Sequence, residues 1–103
     1  MKNLLYILLF STQIFFAQTG FEKGNVFYEK GNYKDAVLAY ESVLNDNKHS
    51  AEIYFNLANA YYKLNKVAPS IYYYEKALVL NPKDKESINN LKFAHKRTID
   101  EIK

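Results

Sequence analysis

The chain contains no cysteine and no tryptophan. Without cysteine there is no disulfide framework, no thiolate zinc site, no cysteine nucleophile and no lipidated lipoprotein anchor, so packing has to hold the fold. Proline occurs twice and glycine three times in 103 residues. Gly20 and Gly24 stand in or beside a helical stretch with no strand before them, which excludes a phosphate-cradling glycine loop. Charge of one sign is not in excess: 14 Lys plus Arg against 11 Asp plus Glu leave +3, too little to point to nucleic acid or an anionic surface. The length allows one small domain and excludes a two-domain enzyme with a cleft between its halves.

The first long apolar run lies at the start. Lys2 is the single charge of Met1 to Asn3, Leu4 to Phe10 reads LLYILLF, Ser11 to Gln13 interrupt it, and Ile14 to Ala17 reads IFFA. A charged start, a short apolar stretch and a small residue form a secretory signal. Leu4 to Ala17 is too short and too interrupted for the ~20 apolar residues of a membrane span. Cleavage after Ala17 is therefore expected, giving a signal peptide at 1–17, a mature domain at 18–103 and export to the periplasm or cell envelope. Phe15 stands where a small side chain is preferred, and an uncleaved inner-membrane anchor is the alternative.

The mature part has no alternating strand pattern, and its apolar residues recur at helical spacing. Shifted by 34 residues the sequence matches itself: Phe21 with Phe55, Asn25 with Asn59, Tyr28 with Tyr62, Tyr40 with Tyr74, Glu41 with Glu75 and Leu44 with Leu78. That period predicts an all-α helix-turn-helix array, with repeat 1 at 17–50, repeat 2 at 51–84 and a capping helix at 85–103. Helices are expected near 20–30, 33–45, 51–64, 67–80 and 85–102. Thr19 with Glu22 forms a capping box for the first, and Asn32, Ser50 and Asp84 are expected to cap the second, third and fifth. Pro69 fits the first turn of the fourth helix and Pro82 stops it. Gly31 and Asn65 occupy the inter-helix turns, where positive φ is needed. Gly24 and Ala58 are small where paired helices cross, with Ala36 and Ser70 expected to face them.

These residues resemble the tetratricopeptide repeat family. Repeat 2 carries the family pattern at Tyr54, Leu57, Ala58, Tyr61, Tyr74 and Pro82, with Ser70 for the usual Ala. Repeat 1 keeps Gly24, Phe27, Ala36 and Tyr40 but has Gly20, Lys23 and Lys48 at other pattern positions, as suits an end repeat. Lys92 falls at the close-packing position of a third unit, so the last helix is expected to cap the array. The signal, the two repeats and the run INNLKFAHKRTIDEIK from Ile88 also resemble the N-terminal region of BatE-type aerotolerance proteins of bacteria, which continue into membrane and SH3-like segments that this sequence does not contain. Ile99, Ile102 and Lys103 close the chain without a helix-stop residue, an ending that suits a truncated product.

Nothing in the residues points to catalysis, a cofactor or a metal. His49 and His95 have no second ligand three or four residues away, no serine lies in a nucleophile-elbow setting, and the carboxylates alternate with lysines as on a solvated helix face. Of the ten tyrosines, Tyr33, Tyr40, Tyr54, Tyr61 and Tyr74 fall at core positions, and one of Tyr72 and Tyr73 is expected on the convex side. The resemblance places Phe21, Asn25, Tyr28, Phe55, Asn59 and Tyr62 along the concave groove, with Tyr28 and Tyr62 facing solvent, as a site for a peptide or a helix of a partner protein. The family's grip on a free C-terminal carboxylate does not carry over. Asn25 and Asn56 match its asparagines, but Phe21, Glu86 and Asn90 stand at its basic places. The expected function is thus a non-enzymatic, exported protein-interaction module. A spacer within a larger membrane-associated protein is the alternative, and the diluted basic residues of the last helix make nucleic acid the weakest reading. Contact with a membrane is expected only through a partner, an absent C-terminal part or an uncleaved signal.

Overall fold

The computed structural model describes residues 18–102, so the expected signal peptide lies outside the described residues. Five helices follow one another: α1 (Gly20–Glu29), α2 (Tyr33–Asn45), α3 (Ala51–Lys63), α4 (Val67–Leu80) and α5 (Lys85–Ile102). Each packs on the next in chain order, the nearest-neighbour stacking of a helical repeat array. Among the described residues there is no strand, and no helix is long and apolar enough to cross a membrane.

The helix ends follow local chemistry. Thr19 Oγ1 accepts the Glu22 N–H at 3.1 Å and Ser50 Oγ the Ile53 N–H at 3.1 Å, each satisfying a donor that the first turn cannot. Asn32 corrects the expectation. Its side chain makes no cap bond to α2, because its backbone (φ −87, ψ 69) is not extended and its N–H is committed to closing the preceding turn on the Phe27 carbonyl at 2.8 Å. At α5, the Asp84 carboxylate accepts from the Ser87 hydroxyl at 2.6 Å. Gly31 (φ 79) and Asn65 (φ 64) take the left-handed conformation. After each, the next N–H reaches back five residues, Asn32 to Phe27 and Lys66 to Tyr61, so both repeats turn alike. Asn47 (φ 60) makes a third such turn between the repeats, with Lys48 N–H on the Val43 carbonyl.

At Gly24, α1 and α2 cross closely. A β-carbon there would lie 2.3 Å from Tyr40 Cε1, so the group first met across the crossing is the Tyr40 ring and not Ala36. Ala36 is fully buried beside it, in a cluster with Val37, Tyr40, Ile53, Leu57 and Ala60. Ala58, the equivalent of Gly24, lies in a second cluster with Val67, Tyr74 and Ala94. Gly20 holds a place that is aromatic in repeat 2, because a β-carbon would come within 2.7 Å of Ser42 Oγ and 2.8 Å of Val43 Cγ2. Lys92 is exposed on α5.

Tyr40, Tyr54 and Tyr74 are buried, whereas Tyr33 and Tyr61, expected in the core, are only half-buried. Tyr33 opens α2 at the rim and meets Tyr28 edge-on at 5.2 Å. Tyr61 stacks on Tyr73 at 5.8 Å and donates its hydroxyl to Glu41, a partner that a closed core could not hold. Tyr72 is the exposed member of its pair.

Candidate partner-binding groove

The groove is built on the first helices of successive repeats, α1 and α3, and on α5. Its organising feature starts in the core. The Tyr40 ring is buried, and its hydroxyl emerges to donate to Asn25 Oδ1 at 2.6 Å. Asn56 Nδ2, from α3, donates to the same oxygen at 3.3 Å. Thirty-four residues on, the set recurs: the Tyr74 hydroxyl donates to Asn59 Oδ1, and Asn90 Nδ2 from α5 donates there at 3.1 Å. Two donors on one amide oxygen use both its lone pairs and fix which way the amide points. That leaves the NH2 groups of Asn25 and Asn59, which can only donate, beside the side-chain oxygens of Asn56 and Asn90, which can accept.

Burial pushes the Tyr40 hydroxyl up to about 12 and raises that of Tyr74 as well, so both stay protonated and serve as donors throughout the neutral range. Around these sets lie two adjoining cavities. One, of about 170 Å³, is lined by Asn25, Tyr28, Glu29, Tyr40, Asn56 and Asn59. The other, of about 240 Å³, is lined by Tyr28, Asn59, Tyr62, Lys63, Tyr74, Asn90 and Phe93. Tyr28 and Asn59 belong to both and form the wall between them.

Of the six residues expected in the groove, Asn25, Tyr28, Asn59 and Tyr62 line these cavities. Phe21 and Phe55 do not. They lie one helical turn earlier and pack against the core tyrosines, Phe21 at 6.3 Å from Tyr40 and Phe55 at 6.1 Å from Tyr74. Tyr28 and Tyr62 are partly buried, each packed on the core while lining the cavities. Tyr28 packs against the first core cluster, and its burial raises its hydroxyl above the usual value. Tyr62 packs against the second, under the Arg97 guanidinium at 5.0 Å. Tyr40 and Tyr74 are groove residues that the sequence hides, because their rings satisfy the core pattern. Asn56 and Asn90 join them, although the carboxylate grip they would belong to does not carry over. The shift of 34 that pairs Asn25 with Asn59 also pairs Asn56 with Asn90, and would have found them.

Outside the groove, His49 Nδ1 lies 2.5 Å from the Tyr54 hydroxyl. No group of three His, Cys, Asp or Glu side chains that could hold a metal occurs among the described residues.

Comparison with known proteins agrees with this architecture. Residues 24–65 match a family described as TPR repeat, and residues 51–84 match one described as tetratricopeptide repeat. The Homo sapiens protein "Tetratricopeptide repeat protein 12" is similar, with 43% identity over 58 residues. That match takes in 56% of this chain and 7% of the human protein, so the chain spans a small part of its relative's length. Such repeats mediate protein-protein interaction. The two matches together run through residues 24–84, and with five helices stacked in order they show TPR repeats in a helical array.

Proposed function

We propose that this protein is a non-enzymatic binding module of the bacterial cell envelope, which holds a peptide or helix of a partner envelope protein in its concave groove. The observation that carries this is the Tyr–Asn–Asn set, made once on Tyr40, Asn25 and Asn56 and again on Tyr74, Asn59 and Asn90. It leaves amide donors at a repeated interval beside half-buried tyrosine faces, which is what a polypeptide needs to exchange its hydrogen bonds with water for bonds to protein. Export is supported by the pattern of Lys2, Leu4 to Phe10 and Ala17. The run from Ile88 supports a setting like that of BatE-type aerotolerance proteins.

The test has two parts. Material exported from cells should have a mass that begins at or near Gln18, and recovery of intact Met1 in the membrane fraction would favour the anchor. Tagged protein should bring down a partner from envelope extract, and a segment of that partner should then bind the isolated chain in titration. Failure of every identified partner segment to bind would remove the groove reading.

A further inference from the structure

We infer that the groove selects an extended peptide carrying one cationic and one anionic side chain, the cation beside Glu29 and the anion beside Lys63. The inference rests on the groove reading above and specifies its ligand. Glu29 and Lys63 occupy the same position of successive repeats, 34 residues apart, so one place in the repeat is presented twice with opposite sign. Glu29 lines the smaller cavity and Lys63 the larger, with Tyr28 between them. Among the described residues neither has an ion-pair partner. Arg97, the same position one unit further on, is already occupied, with its guanidinium over the Tyr62 ring at 5.0 Å and its Nε 3.7 Å from Glu101.

A polyanion in this groove would meet Glu29 and a polycation would meet Lys63. Like charges brought together in a concave site select against such ligands, even where an exposed ion pair adds little affinity. The Asn25 and Asn59 NH2 groups, one helical turn before Glu29 and Lys63 on the same helices, suit backbone carbonyls, which fits an extended chain. The Asn56–Asn25 hydrogen bond sets α1 and α3 side by side; at the ~10 Å of adjacent helices, and with an extended chain rising ~3.3 Å per residue, the two ligand charges should stand about three residues apart.

The probe is a phage-displayed library of random dodecapeptides, selected on the full chain as wild type, Glu29→Lys and Lys63→Glu. Wild type should enrich peptides with one basic and one acidic residue about three apart. Glu29→Lys should enrich pairs of acidic residues at that spacing, and Lys63→Glu pairs of basic ones, whichever way the peptide runs. In titration, a synthetic wild-type-selected peptide should bind each variant about tenfold more weakly. Selected peptides that lack the charge pair, or that bind all three proteins alike, would overturn the inference while leaving a peptide-binding groove in place. No enrichment on wild type would overturn the groove reading and this inference together.

Discussion

The hydroxyl of buried Tyr74 donates to Oδ1 of Asn59, so a core side chain holds a groove side chain in place. The Tyr40 and Asn25 pair does the same one repeat earlier. Core stability and groove geometry are therefore joined at single atoms. Tyr74→Phe should lose ~0.5–1.5 kcal/mol, the net worth of a hydrogen bond, whereas Asn59→Ala should lose ~1–3 kcal/mol because it removes the one oxygen that accepts from both Tyr74 and Asn90. Urea unfolding of both single variants and the double variant should give a coupling energy of ~0.5–3 kcal/mol. Additive losses would show that the two residues do not act together.

Ser70 should be improved by removing its oxygen. It is fully buried where the repeat pattern carries alanine, and its hydroxyl makes no well-formed hydrogen bond, with the Tyr74 hydroxyl the polar group beside it. Ser70→Ala relieves an unsatisfied polar group and gains helix propensity, together worth on the order of 1 kcal/mol. The thermal midpoint should rise by about 4–8 °C for a domain this small, and a fall would mean that the hydroxyl has a partner.

At Gly24 the same kind of change should do harm. A methyl group there would press into the Tyr40 ring, and overpacking of ~1–3 kcal/mol should outweigh the ~1 kcal/mol gained in helix propensity. Ala58→Leu should be worse, since Ala58 is fully buried in the second cluster with Tyr74. An unchanged midpoint for either variant in a thermal melt would remove these positions from the helix crossing.

Alkali should unfold the protein through its tyrosines. Burial raises the Tyr40 hydroxyl to about 12, and burial together with the Glu41 carboxylate raises that of Tyr61, both from 10.0. The folded state then keeps protons that the unfolded chain releases. Its stability is fully present below about pH 10 and is lost as pH rises through about 12. Urea midpoints should stay level from neutral pH to about pH 9 and fall beyond it. A decline that sets in near neutrality would assign the loss to other groups.

Much of the fold was legible because the repeat writes each feature twice. Gly31 and Asn65, Gly24 and Ala58, and the helix starts at Thr19 and Ser50 could each be checked against period or capping chemistry. Asn32 was misread because a capping residue type says nothing of a backbone already committed to the previous turn. The groove was harder to read. Periodicity marks which face a residue lies on, and so placed Asn25, Tyr28, Asn59 and Tyr62, but it does not show how deep a side chain reaches. Phe21 and Phe55 proved to underlie the tyrosines, and the Tyr40 and Tyr74 hydroxyls reach out of the core to the groove.

The groove's binding role can be separated from its structural one at two atoms. Asn25→Asp with Asn59→Asp keeps the oxygens that accept from Tyr40, Asn56, Tyr74 and Asn90, and replaces the free NH2 donors by acceptors. Titration of the partner segment identified from envelope extract, against wild type and this double variant, is the deciding measurement, with a thermal melt of each protein as control. The variant should melt within a few degrees of wild type and bind at least tenfold more weakly, a loss of about 1.4 kcal/mol or more. A folded variant with undiminished affinity would contradict the groove and leave the repeats as a spacer.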